Sequence, residues 1–183
     1  LDDSDVKAVE LHDGLESTLL ILGHRLKATA ERPAIKVVKD YCRSSPLVTC
    51  YPAQLNQAVM NLLANAIDAI EAAVMVGKLS AERSDLTDCQ VPTLWIGTRV
   101  AALEKIEIVV RDNGIGIDSA IAPRIFDHFF TTKPVSAATG LGLAIARQIV
   151  DNHGGALVFN PLNQGAEFVV TLPISIQTSV NRR

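Results

Sequence analysis

Cysteine is scarce in this chain. Cys42, Cys50 and Cys89 stand far apart, and no two form a Cys-x-x-Cys pair. Three thiols at such spacings exclude a disulfide framework and a zinc ribbon, and they fit a reducing compartment. Aromatic residues make up only 4% of the chain, so its core has to be aliphatic. Basic charge is not in excess: 17 Lys and Arg face 20 Asp and Glu, a net charge of -3. That balance lacks the electrostatic footprint of a nucleic-acid binder, so no nucleic-acid partner is expected. No uncharged apolar run reaches the length of about 18 residues that a membrane helix needs, so no direct membrane contact is expected. The opening LDDSDVKAVELHDG is acidic and polar, unlike a secretory signal. A cytoplasmic location is the expectation. Two phosphate fingerprints are missing as well. There is no GxxxxGK[ST], and Gly140-Leu141-Gly142 is not followed by a third glycine at the dinucleotide spacing, which excludes a P-loop and a Rossmann turn.

What is present suffices for a packed core: 48% of the residues are hydrophobic and 20% charged. Leu15, Leu19, Leu22 and Leu26 form a helical stripe over residues 13–29, with Asp13 as its expected cap. IKVVKDY (35–41) and Leu47–Cys50 read as strands. A long helix follows Pro52, with Leu55, Val59, Leu62, Leu63, Ala66, Ile67 and Ile70 on one face and Gly77 at its end. Residues 77–92 read as a loop, then 93–101 and 106–111 as a hairpin. Residues 112–142 show little periodicity. A helix over 143–152 and strands over 156–160 and 167–173 close the pattern, joined by a turn through Asn163-Gln164-Gly165. This order predicts an α+β two-layer sandwich, with a mixed sheet of about five to seven strands and about three helices on one face. A single domain over 1–176 with a frayed tail at 177–183 is expected.

Four segments carry chemistry. Asn61 and Asn65 share a helix face; they are either surface amides or oxygen ligands for a hard cation such as Mg²⁺. Asp112-Asn113-Gly114-Ile115-Gly116-Ile117 follows a strand. It is either a turn or a carboxylate that accepts from an exocyclic amine, beside glycines that admit a flat ring. Thr139-Gly140-Leu141-Gly142-Leu143-Ala144 opens a helix, as a flexible entry or as an anion site made of free N–H groups. Arg124-Ile125-Phe126-Asp127-His128-Phe129-Phe130-Thr131-Thr132-Lys133 holds aromatics that can anchor a loop on the core, with Arg124 and Lys133 in reach of a phosphate.

Taken together, NLLANAIDAI (61–70), DNGIGI (112–117), RIFDHFFTTK (124–133) and TGLGLAIARQIVDNHGG (139–155) resemble the N, first-glycine, F and second-glycine boxes of the ATP-binding domain of sensor histidine kinases. That family lies in the superfamily with gyrase, the large heat-shock chaperones and the mismatch-repair ATPases, whose fold is the Bergerat type. The resemblance covers residues 6–174.

It implies that ATP and Mg²⁺ are the cofactors, that Asn65 is the metal ligand, and that Asn61 lies near the phosphates. It makes Asp112 the adenine partner, with Gly114, Gly116 and Ile117 shaping the base pocket. Phe126, Lys133, Thr139, Gly140, Leu141, Gly142 and Leu143 complete the nucleotide site, and residues 118–139 form a mobile lid. It implies transfer of the γ-phosphoryl to a histidine on a separate dimerisation domain, with a response regulator beyond. The chain would then be cytoplasmic, or the cytosolic part of a membrane-bound sensor. An amide at 61, where the hydrolysing relatives resemble one another in having a glutamate, favours transfer over hydrolysis.

Some positions depart from the pattern. Ala138 stands where many relatives have glycine, Ala166 lacks a hydroxyl found in many, and Asp68 resembles the NtrB-type branch and is expected to have no phosphate role. His12 is read as a structural or surface histidine in a first strand region over Val6–His12. Neither it nor His24, His128 or His153 is a suitable acceptor. A serine kinase of the anti-sigma type, or a nucleotide-binding regulatory module without transfer, are the alternatives.

Overall fold

The computed structural model describes residues 5–43, 47–80, 90–101, 104–132 and 140–174. Lys133, Ala138, Thr139, Cys89, the tail 177–183 and part of the 77–92 loop lie outside the described residues.

The chain runs β1 (Lys7–Glu10), α1 (Leu11–Ile21), α2 (Gly23–Leu26), β2 (Lys36–Asp40), β3 (Leu47–Cys50), α3 (Pro52–Met75), β4 (Thr93–Ala101), β5 (Lys105–Asp112), α4 (Gly142–Asn152), β6 (Ala156–Pro161) and β7 (Ala166–Pro173), with a 3-10 turn at Ala122–Arg124 between β5 and α4. The main sheet has the order β2-β4-β5-β7-β6. It is mixed: β2 pairs with β4 in parallel, and the other neighbours are antiparallel. β1 and β3 form a separate antiparallel ribbon, fastened to the residue after β7 by the Thr49 N–H on the Ile174 carbonyl at 3.2 Å.

Period-2 alternation sorts the sheet into two faces. Ile106, Ile108, Val110 and Asp112 of β5 are buried, and so are their partners Leu172, Val170, Phe168 and Ala166 on β7. Leu94 and Ile96 of β4 continue that face. Against it lie α1, α3 and α4, contributing Leu11, Leu15, Leu62, Leu63, Ile67, Ile70, Ile149 and Val150 to the same core. Burying each such aliphatic side chain stabilises the fold by about 1.5–3 kcal/mol. The opposite face has no helix on it among the described residues; there Arg111 lies 5.0 Å over the ring of Trp95, its cross-strand partner.

α3 is long and apolar enough by composition to cross a membrane, yet Leu62, Leu63, Ile67 and Ile70 are fully buried in this core. Pro52 stands in its first turn, where a missing N–H is harmless. Ion pairs brace it from outside: Arg25 reaches Asp68 at 2.6 Å and Glu71 at 2.8 Å, and Arg32 reaches Glu71 at 3.1 Å. Asp68 is thus engaged with α2.

Three expectations need correction. The helix expected over 13–29 starts at Leu11, so Glu10, and not Asp13, is its N-cap residue. It stops at Ile21, Leu22 closes it by donating to the Thr18 carbonyl, and α2 restarts at Gly23. His12 lies in α1, beyond the four-residue strand; its Nε2 is 2.8 Å from the Thr98 hydroxyl and its ring stacks on Tyr41 at 4.7 Å.

Candidate functional site

α3 and α4 pack side by side. Tyr51, at the start of α3, donates its N–H to Nε2 of His153, at the end of α4, at 3.0 Å. Asn61, further along α3, donates from Nδ2 to the Gly142 carbonyl, at the start of α4, at 3.0 Å. The helices therefore run antiparallel, and the α4 N-terminus faces the turn of α3 that carries Asn61 and Asn65. No side chain caps the start of α4. Its first N–H groups remain available to an anion.

The two glycines before α4 have different reasons to be glycine. Gly140 has φ +67°, and a Cβ there would sit 2.6 Å from the Phe129 carbonyl carbon. Its conformation and its packing both demand glycine. A Cβ on Gly142 would meet only Asn65 Nδ2 at 3.8 Å and Asn61 atoms at 3.9 Å, which is ordinary contact. Nothing in the protein's own packing requires glycine at 142.

Asp112 ends β5 on the buried face and is 2% exposed. Burial pushes its carboxyl up to about 6, against the opposing pull of hydrogen bonds from the Gly114 and Ala166 backbones. The Gly114 N–H donates to Oδ1 at 2.8 Å. Behind it, a Cβ on Gly165 would fall 1.9 Å from the Asp112 carbonyl oxygen, so the 163–165 turn presses on the back of this residue. The role expected for Gly114, to admit a flat ring, gains a second cause: a Cβ there would lie 2.4 Å from the Ala69 carbonyl carbon of α3. The Ile115 N–H donates to the Ala69 carbonyl at 3.0 Å, so the loop after β5 is bound to α3 one turn beyond Asn65. Gly116 has φ +78°, and Ile117 packs against the core.

Asn113 was legible only as a turn residue. It is 5% exposed and acts as a strap: Oδ1 accepts from the Thr93 N–H, and Nδ2 donates to the Val91 carbonyl, each at 2.9 Å.

Of the three phenylalanines expected as anchors, two serve. Phe126 packs edge-on to Phe168 at 6.4 Å under the Arg147 guanidinium, and Phe130 lies under Arg124 at 4.7 Å. Phe129 is the exception, 75% exposed with φ 64°. Ile125, 5% exposed, is the anchor that the sequence reading missed. Arg124 is engaged with Phe130 and, at 3.5 Å, with Asp127. Leu143 packs on the core, and Leu141 precedes the first turn of α4. Lys133 and Thr139 lie outside the described residues.

A buried carboxylate at the end of β5, two amides on α3 and an uncapped α4 N-terminus facing them are thus brought to one side of the sheet. The family model for histidine kinase-, DNA gyrase B- and HSP90-like ATPases matches residues 50–176. The chain belongs to this ATPase family. The ATPase domain is 38% identical over 164 residues to the two-component sensor PprA of Pseudomonas aeruginosa, covering 87% of this chain and 16% of PprA. It is 32% identical over 165 residues to the sensory histidine kinase/phosphatase NtrB of Rhizobium leguminosarum bv. phaseoli, covering 87% of this chain and 41% of NtrB. It therefore spans less than half the length of either relative. Its fold matches the catalytic domain of the histidine kinase ThkA with a TM-score of 0.73 at 21% identity, over 93% of this chain and 97% of that one. It also matches ThkA in complex with the response regulator protein TrrA, with a TM-score of 0.68 at 20% identity, over 92% of this chain and 41% of that one.

The site residues suit Mg²⁺ as a nucleotide-borne ion. Among the described residues no three His, Cys, Asp or Glu gather to hold a metal. A side-chain amide beside an uncapped helix end fits a cation that takes its other ligands from phosphates and water.

Proposed function

We propose that this ATPase domain binds Mg-ATP and transfers its γ-phosphoryl group to a histidine on a separate dimerisation domain, as the catalytic part of a cytosolic two-component sensor kinase. The observation that carries the reading is the juxtaposition of the α3 amides with the uncapped α4 N-terminus, beside the loop after Asp112 that Ile115 ties to α3 at Ala69. Asp112 accepts a hydrogen bond from the adenine amino group, and Gly114, Gly116 and Ile117 leave room for the ring. The α4 N–H groups beyond Gly142 receive phosphate oxygens. Asn65 offers its amide oxygen to Mg²⁺, which draws charge from the phosphates when bound. The acceptor imidazole nitrogen attacks the γ-phosphorus in line, the bond to the β–γ bridging oxygen breaks, and ADP leaves. Positioning and charge account for the catalysis, since Asn61 and Asn65 are amides and supply no base. The names of the relatives support the acceptor class, and the ThkA complex with TrrA supports a response regulator as the next partner.

The test is radiolabelled Mg-ATP with this chain and an added histidine-bearing hairpin domain of the NtrB type. Label should move to the hairpin histidine, and Asn65→Ala should abolish the transfer while the melting temperature holds. Tight nucleotide binding without label on any acceptor would make the domain a regulatory module instead.

A further inference from the structure

We propose that Asn61 is a positioning residue: its amide ties the first turn of α4 to α3 and so fixes the width of the phosphate end of the site. This role rests on the nucleotide reading above and adds a task for a side chain that the transfer step does not use.

A carbonyl oxygen only accepts hydrogen bonds, so the amide group 3.0 Å from the Gly142 oxygen has to be the NH₂ of Asn61. An ionised carboxylate of the same shape would set oxygen against oxygen there. The contact is one of two that fix α4 along α3. Asn61 lies ten residues beyond Tyr51, about 15 Å along the α3 axis, and Gly142 lies eleven residues before His153, about 16 Å along α4. The two spans match, so each end of α4 is pinned to the same face of α3. The His153 pin is 3% exposed and far from the cleft, whereas the Asn61 pin is at its mouth.

That location sets the consequence. The cation side of the site is Asn65 on α3, and the anion side is the first turn of α4. Among the described residues, the hydrogen bond from Asn61 to Gly142 is the side-chain link between them. A Cβ on Gly142 would be 3.8 Å from Asn65 Nδ2 and 3.9 Å from both Cβ and Cγ of Asn61, so the two helices stand at contact distance here. Without the strap, α4 keeps its core contacts through Ala146, Ile149 and Val150, but its first turn is released.

The experiment compares wild type with Asn61→Asp and Asn61→Ala, first without nucleotide. Hydrogen exchange at the Ile145 and Ala146 amides should rise about tenfold in both variants, the size expected for one lost hydrogen bond, while β5 and β7 stay unchanged. Mg-ADP affinity should then fall about tenfold and adenosine affinity should hold, because the defect is confined to the phosphate end. ATP hydrolysis by Asn61→Asp should not rise above the wild-type level. Unchanged exchange in the first turn of α4 would overturn the strap. So would a gain of hydrolysis in Asn61→Asp, because position 61 would then act directly on water. If wild type binds no nucleotide, the functional reading fails, and the exchange measurement still decides the strap. Asn61→Ser, smaller and still a donor, replaces any variant that melts early.

Discussion

Tyr51 and His153 close one end of the helix pair through a hydrogen bond that fixes the tautomer of the ring. The Ile149 carbonyl, 2.7 Å from Nδ1, only accepts, so Nδ1 carries the proton and Nε2 receives the Tyr51 N–H. His153 is therefore a structural residue, 3% exposed, in edge-on contact with the Tyr51 ring at 5.6 Å. Replacing it with Phe keeps an aromatic ring but strands the Tyr51 N–H and the Ile149 carbonyl. The expected loss is about 1–3 kcal/mol, read as a lower denaturant midpoint with an unchanged slope.

Asp112 opposes folding and supports binding. Its carboxyl is raised from 3.8 to about 6, so the folded chain holds a proton that the unfolded chain releases. Stability should therefore fall as pH rises from about 4 to about 6 and then level off, by a total of about 3 kcal/mol. Asp112→Asn should remove that slope and stabilise the domain at neutral pH, with a loss of ADP affinity of at least about tenfold. Chemical denaturation across pH, with calorimetry at pH 7.5, checks both halves.

Nucleotide affinity should follow the same group with the opposite sign. In the proposed role the ionised carboxylate accepts from adenine, so ADP should bind about tenfold more weakly at pH 5 than at pH 7.5, with the change centred near 6. A flat affinity profile in Asp112→Asn, beside a sloping one in wild type, would assign the effect to this residue.

The glycines before α4 should separate in mutagenesis. Gly140→Ala meets the Phe129 backbone and a left-handed φ, so it should lower the melting temperature. Gly142→Ala has room and an ordinary backbone, so the fold should hold while Mg-ADP binding weakens. A domain destabilised equally by both changes would remove the case for open phosphate space at 142.

Phe129 and Phe126 should also part company. Phe129 is exposed in a left-handed conformation, so Phe129→Asn should leave stability unchanged or raise it by up to about 1 kcal/mol. Phe126→Ala removes a ring packed between Phe168 and Arg147 and should destabilise by about 2–4 kcal/mol. Thermal melts of the two variants test the assignment.

Local periodicity reached most of the fold. Leu55, Val59, Leu62, Ala66 and Ile70 recur at helical spacing, and all five are buried on one side of α3. β4 occupies the residues that alternation assigns to it, Thr93–Ala101. What escaped the sequence depends on partners far along the chain. Asn113 looks like a turn former until its bonds to Val91 and Thr93 are seen, about twenty residues away. Gly165 gives no sign in its own segment that it lies against Asp112. The helix break at Leu22 was hidden because the leucine stripe continues through it. In the proposed site, residue types and spacing singled out Asn61, Asn65, Asp112 and Gly142 as candidates, and the resemblance supplied their roles. The hydrogen bond that joins Asn61 to Gly142 spans 81 residues and could be found only in three dimensions.

The placement of Trp95 makes it a natural optical reporter. It is the chain's one tryptophan, and its ring lies beneath a guanidinium on the side of the sheet away from the cleft. Unfolding strips that cation from the indole and moves the emission. Intrinsic fluorescence therefore follows folding without a label, and every stability comparison above can be repeated with it.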